Sequence, residues 1–263
     1  MRSSKYLLVC VLALALFSGC MGGGGVKNIS VSITPTQATV NQGGTRQFNA
    51  TVTGTPNKEV TWSISPENGG TITPDGLYQA PTTPGTYHVI ATSKANPSKQ
   101  AQAVVTVPEI TVDVQPSSVT LDQGATQQFT AQVAGTINSG ITWNVDPENG
   151  GTITENGLYT APNTPGTYTV IAASAAEPAK RSEAEVTVRE ISIEIEPSEI
   201  TLELDEEYQF TAVVRGTVDT GVDWSISPAG MGPITEDGLY TAPSTAGTYT
   251  VIATSKADQT KTA

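Results

Sequence analysis

Val60-Thr61-Trp62-Ser63-Ile64 is a short stretch in which every second residue is apolar, with a tryptophan at its centre. Ile141-Thr142-Trp143-Asn144-Val145 repeats it 81 residues on, and Val222-Asp223-Trp224-Ser225-Ile226 repeats it after another 81. The same step relates Phe48, Phe129 and Phe210 upstream. Downstream it relates Tyr78, Tyr159 and Tyr240, then Tyr87, Tyr168 and Tyr249. One unit has been copied three times with no insertion or deletion between these landmarks, so one reading serves for all three.

Alternation with period two marks a strand with one buried face. Ile29, Val31 and Ile33 predict a first strand that Pro35 ends. Phe48, Ala50 and Val52 predict a second, and Val60, Trp62 and Ile64 a third. Gly69-Gly70 and Pro74-Asp75-Gly76 read as turns around Thr71-Ile72-Thr73. Leu77-Tyr78 is a short strand, Tyr87, Val89 and Ala91 a further one, and Ala103, Val105 and Val107 the last. Seven or eight short strands in about 80 residues, each with one apolar face, require two sheets packed face to face. The expected fold is all-β: three tandem β-sandwich domains at 29–108, 109–189 and 190–263. The twelve recurring rings are expected to form the three cores.

Two features of each unit resemble the immunoglobulin-like fold. The central Trp of the third strand stands where that fold keeps its core Trp. Gly85-Thr86-Tyr87-His88-Val89 looks like its tyrosine corner, with Val89 in the place of a disulfide cysteine. More narrowly, Trp62, Gly70-Thr71-Ile72, Gly76-Leu77-Tyr78-Gln79-Ala80-Pro81 and Gly85-Thr86-Tyr87 resemble bacterial immunoglobulin-like (group 2-like) tandem repeats. The resemblance covers residues 29 to 263. It implies a surface adhesin or surface lipoprotein, and the motif residues it rests on are structural rather than chemical.

The N-terminus is read separately. Arg2 and Lys5 precede the apolar run Tyr6 to Phe17, too short for a comfortable membrane span and typical of a secretory signal peptide. Phe17-Ser18-Gly19-Cys20 resembles the lipobox of prokaryotic lipoproteins, with Phe17 where that motif usually has Leu. The resemblance implies removal of residues 1–19, lipidation at Cys20 and a glycine-rich tether over residues 20–28. Cys10 falls in the leader, so Cys20 is the one cysteine expected in the mature chain and no disulfide can form. The expected location is extracytoplasmic, lipid-anchored and surface-exposed.

Junctions between units are two residues long, Pro108-Glu109 and Arg189-Glu190, which predicts units stacked nearly end to end. Strands of about eight residues make each unit on the order of 30 Å long and three units a rod of roughly 90–100 Å. Net charge is −12 for the chain; by position it is +2 over residues 26–108, −6 over 109–189 and −10 over 190–263. That gradient and the lack of a basic patch exclude nucleic acid as a partner. Ala263 aligns with Ser182 and Ala101, so residues matching 102–107 are absent and the third domain is expected to lack most of its last strand. Either a longer chain or a strand from another molecule would complete it.

Chemistry has few candidates. The one histidine, His88, aligns with Thr169 and Thr250 and alternates away from the core. One His and one mature Cys leave Ser-His-Asp, Cys-His and histidine-rich zinc sites without parts. Glu67 and Glu148 align, but Ala229 replaces them in the third unit. Asp205-Glu206-Glu207 could hold calcium weakly, but it lacks a spaced aspartate-glycine loop, which favours a solvated acidic turn instead. Tyr208 is the one mature aromatic outside the threefold pattern, a poor platform for sugar rings. Ile90, Ile171 and Ile252 face outward and form a candidate contact stripe. The expected function is non-enzymatic and needs no cofactor: a lipid-anchored adhesin or spacer with a protein or glycan ligand at the cell surface. The alternative is a stalk or carbohydrate-binding module of a surface enzyme whose catalytic part lies outside this chain.

Overall fold

Alternation becomes two-layered sandwiches in the computed structural model, which describes residues 28–263; the leader, Cys20 and most of the tether lie outside the described residues. In unit 1 the strands are β1 (Ser30–Thr34), β2 (Gln37–Thr39), β3 (Thr45–Gln47), β4 (Asn49–Thr53), β5 (Val60–Ser65), β6 (Thr71–Ile72), β7 (Leu77–Gln79), β8 (Gly85–Ser93) and β9 (Gln100–Val107). One layer has the order β2-β9-β8-β5, with β2 parallel to β9 and the other neighbours antiparallel. The opposite layer is made of the pair β1-β4 and the triplet β3-β7-β6. Ile33, Phe48, Tyr78, Tyr87, Val89, Ala103 and Val105 meet between the layers as one core. Inward residues of β8 and β9 alternate strictly, as a sheet with one solvated face requires.

Unit 2 repeats this with β10 (Thr111–Gln115), β11 (Ser118–Leu121), β12 (Thr126–Gln128), β13 (Thr130–Ala134), β14 (Ile141–Asp146), β15 (Thr152–Ile153), β16 (Leu158–Thr160), β17 (Gly166–Ser174) and β18 (Arg181–Val188). Its layers are β11-β18-β17-β14 against β10-β13 and β12-β16-β15. Unit 3 has β19 (Ser192–Glu196), β20 (Glu207–Gln209), β21 (Thr211–Arg215), β22 (Val222–Ser227), β23 (Leu239–Thr241) and β24 (Thr250–Ser255), paired β19-β21, β20-β23 and β22-β24.

Units 1 and 2 thus carry nine strands each rather than seven or eight. One extra strand comes from a break. The strand expected to run through Phe48 is divided there, because the Phe48 amide leaves the ladder and donates to the Gly76 carbonyl at 2.9 Å. The Gln47 side-chain amide braces the break, donating to the carbonyls of Phe48 at 2.8 Å and Asp75 at 2.7 Å. Gln128 and Gln209 do the same beside Phe129 and Phe210. The ring of Phe48 goes to the centre of the core while the chain on either side stays in the sheet.

In unit 3 the residues aligned with β11 form no strand, since the strand that β11 pairs with has no counterpart among the described residues. A bridge between Thr254 and Thr262, the two 2.9 Å bonds exchanged by Ala253 and Ala263, and a 3.0 Å bond from the Ser255 amide to the Lys261 carbonyl flank the outer edge of β24.

Candidate functional surfaces

The recurring rings occupy three kinds of position. Phe48, Tyr78, Phe129 and Tyr159 are wholly buried, and Phe210, Tyr240, Tyr87 and Tyr168 nearly so. Phe48 and Tyr78 meet edge to face with centroids 6.2 Å apart, Phe129 and Tyr159 at 6.1 Å, a favoured aromatic geometry. Each buried hydroxyl has an acceptor. Tyr78 donates to the Gly69 carbonyl at 2.6 Å, Tyr159 to Gly150 at 2.5 Å and Tyr240 to Met231 at 3.0 Å. Burial, with a smaller contribution from the neighbouring Tyr87 or Tyr168, pushes the Tyr78 and Tyr159 phenols up to about 12. These are phenols held neutral by packing.

Tyr87, Tyr168 and Tyr249 each donate to the carbonyl four residues upstream, Thr83, Thr164 and Thr245, at 2.9 Å. That is the hydroxyl-to-backbone bond of a tyrosine corner. Tyr249 itself is only half-buried.

Trp62, Trp143 and Trp224 differ from the interior position expected of them: all three are half-buried. Trp62 and Trp143 pack against the edges of their cores. Each indole lies over a glycine in a left-handed turn. A Cβ on Gly76 would stand 2.9 Å from Trp62 Cζ2, and one on Gly157 would stand 3.0 Å from Trp143 Cζ2. The ring closes the sandwich edge, with one face on the core and the rest toward solvent.

Remaining candidates are dispersed. His88 is half-buried in β8, opposite Ser65 on one side and Val104 on the other. Glu67 and Glu148 are exposed. Ile90, Ile171 and Ile252 are half-buried on the outward faces of their strands. Tyr208 sets its ring edge against Phe210 at 5.3 Å, so it joins the aromatic packing of unit 3. At the acidic turn, the Glu206 carboxylate accepts the Glu203 amide at 2.7 Å, and Asp205 adopts a left-handed φ of 63°. No group of three His, Cys, Asp or Glu among the described residues could hold a metal ion.

Unit 3 also carries a groove of about 520 Å³ whose apolar lining includes Ile200, Leu204, Phe210, Tyr240, Tyr249 and Val251. It lies on the flank where units 1 and 2 have the inward valines of β9 and β18, Val105 and Val186 among them. Sequence reasoning missed a second feature, the buried side chains of Gln42 and Gln123 at the two junctions. Their 81-residue spacing was the signal that could have found them.

Two facing β layers, a tryptophan on β5, β14 and β22, and a hydroxyl-braced tyrosine corner define an immunoglobulin-like β-sandwich, here in tandem. The model of the bacterial Ig-like domain (group 2) matches residues 29–105 and 110–184, and the chain belongs to that family. No curated protein matches it. Among solved structures, the surface layer protein SbsC, domains 1–6, is 15% identical with a TM-score of 0.35, over 91% of this chain and 39% of that one. The C-terminal 282-residue fragment of intimin, solved with the intimin-binding domain of the translocated intimin receptor, is 18% identical with a TM-score of 0.29, over 65% of this chain and 68% of that one. The Escherichia coli adhesin FdeC is 16% identical with a TM-score of 0.27, over 90% of this chain and 95% of that one.

Proposed function

We propose that the chain is a non-enzymatic bacterial surface lipoprotein whose tandem immunoglobulin-like units act as a spacer or adhesive arm. The observation that carries this reading is the use made of its aromatic and polar groups. The rings that recur in every unit pack or cap a core edge, and the buried tyrosine hydroxyls bond to backbone. His88 is a half-buried strand residue opposite Ser65 and Val104, and the aligned Glu67 and Glu148 are exposed. Membership of a bacterial Ig-like family supports the same reading. Cys20 is its membrane attachment, through a lipid, and a protein or glycan at the cell surface is its ligand.

Expression of the full chain and of Cys20→Ala in a bacterial host, with radiolabelled palmitate and cell fractionation, tests the anchor. Label and membrane retention are expected for the native chain, and an unlabelled, released protein for the variant. A variant that stays membrane-bound overturns the lipid reading. Protease treatment of intact cells tests display: cleavage of the repeats is expected, and full protection refutes surface exposure.

A further inference from the structure

At the junction of units 1 and 2, Gln42 is 5% exposed and makes three bonds that cross between units or into the linker. Its amide donates to the Gly135 carbonyl at 2.9 Å, its carbonyl accepts the Ile137 amide at 3.2 Å, and its side-chain nitrogen donates to the Pro108 carbonyl at 3.0 Å. Ile137 lies against Gly43: a Cβ there would stand 3.3 Å from Ile137 Cδ1. The junction of units 2 and 3 repeats every element. Gln123, also 5% exposed, donates to Gly216 at 2.9 Å, accepts from Val218 at 3.1 Å and reaches the Arg189 carbonyl at 3.1 Å. A Cβ on Gly124 would stand 3.0 Å from Val218 Cγ2. Ile110 and Ile191, the first apolar residues after each linker, are buried.

We propose that these glutamines are orientation locks that make the three units one rigid body, through a pairing code that the pole of unit 3 and the base of unit 1 lack. The code has three parts: glutamine at the pole of one unit, glycine after it, and an apolar residue bearing an amide N–H at the base of the next. At the pole of unit 3 the glutamine is Leu204, 55% exposed, and the glycine is Asp205, which keeps the left-handed backbone but adds a carboxylate where the apolar residue would sit. At the base of unit 1 the aligned residue is Pro56, which has no N–H to give. The Asn57 side chain still accepts the Glu59 amide at 3.0 Å there, as Asn138 does for Gly140, so the loop keeps its shape and loses only the donor. A second copy stacked end to end would meet leucine, a carboxylate and proline in place of the lock.

Each glutamine side chain is buried against the carbonyl that opens its linker, and its backbone exchanges two bonds with the next unit, so misoriented units would break that backbone pair and expose the buried amide. With two-residue linkers, the lock turns short connections into a fixed angle. The proposal gives the spacer reading a mechanical basis, and its geometry can be tested without regard to anchoring or display.

Residual dipolar couplings on the full chain in detergent report the orientation of each unit separately. One alignment tensor is expected to fit all three. Gln123→Leu copies Leu204, and Val218→Pro copies Pro56; each residue is already accommodated at the aligned place in another unit. In either variant unit 3 should lose the common tensor while units 1 and 2 keep it, and Gln42→Leu should release unit 1 instead. Couplings within each unit report whether that unit is still folded. Separate tensors in the native chain, or a shared tensor retained in both Gln123→Leu and Val218→Pro, would overturn the proposal, whatever the outcome at Cys20.

Discussion

Gly238 and Gly230 both lie in unit 3 with almost the same backbone, φ of 86° and 84°, but in different surroundings. A Cβ on Gly238 would stand 2.8 Å from the Phe210 carbonyl oxygen and 2.9 Å from two atoms of the Trp224 indole, whereas one on Gly230 would meet nothing within 4 Å. Alanine at either position pays for a left-handed conformation, about 1–2 kcal/mol. Reduced freedom of the unfolded chain returns a fraction of that equally in both. At Gly238 the methyl must also displace the indole or the Phe210 carbonyl, in a turn held by the Phe210 amide donating to the Gly238 carbonyl at 3.0 Å. Overpacking of this kind adds roughly 1–3 kcal/mol. Gly230→Ala should therefore cost about 1 kcal/mol and Gly238→Ala about 2–4 kcal/mol. Peptide-resolved hydrogen exchange over β22 to β24 reads the difference, since about 1.4 kcal/mol of lost stability speeds exchange tenfold. Exchange should rise several-fold for Gly230→Ala and from roughly 30-fold to roughly 700-fold for Gly238→Ala. Equal acceleration in the two variants would show that Trp224 does not sit on Gly238, and the account of the sandwich edge would fail.

Tyr159→Phe keeps the ring but strands the Gly150 carbonyl in the core, so urea unfolding should show a loss of about 1–3 kcal/mol. A loss below measurement would mean that water reaches that carbonyl. Tyr78 and Tyr159 should also ionise late when phenolate formation is followed by ultraviolet absorbance. With folded phenols at about 12 against an ordinary value of 10.0, the unfolded chain releases protons first as pH rises. The stability contributed by Tyr78 and Tyr159 is thus complete below pH 10 and is lost between pH 10 and about 12. A titration without any late component from Tyr78 and Tyr159 would contradict their burial.

Much of this architecture was legible because the interior repeats. Strict alternation at Tyr87-Val89-Ala91 and Ala103-Val105-Val107 identifies the two long strands and their inward faces without ambiguity. Three features escaped. Strand β2 has a single apolar residue, Ala38, between Gln37 and Thr39, so no period can be measured over it. The break at Phe48 is a backbone event in an unbroken alternating pattern, set by the amide bond to Gly76 rather than by any residue type. The partial exposure of the tryptophans escaped because periodicity tells which face a side chain takes, not how near the sheet edge it lies. At the junctions, Gln42-Gly43-Gly44 reads as an ordinary polar turn. Its role depends on Gly135 to Ile137, more than 90 residues away in sequence.

Each unit contributes the same packing rings, so selection for the fold explains what recurs; function has to be sought in what does not. Two departures stand out once the period is removed. Charge moves from +2 in the unit nearest the N-terminus to −10 in the third. The pole of the third unit replaces Gln-Gly with Leu204-Asp205 followed by Glu206 and Glu207, while the fold beneath it keeps Phe210, Trp224 and Tyr240. A change confined to solvent-facing positions cannot be repairing the core, since core residues on either side of it are unchanged in kind. Exposed carboxylates beside exposed Leu204 and Ile200 contribute little to the stability of the sandwich. Their effect is on what the end of unit 3 will accept. The junction geometry says what it refuses, an apolar base loop presented in the manner of Ile137 or Val218, because Asp205 stands in that space. The pole of unit 3 and the base of unit 1 are made from the same loops that meet at the two junctions, yet neither fits the other.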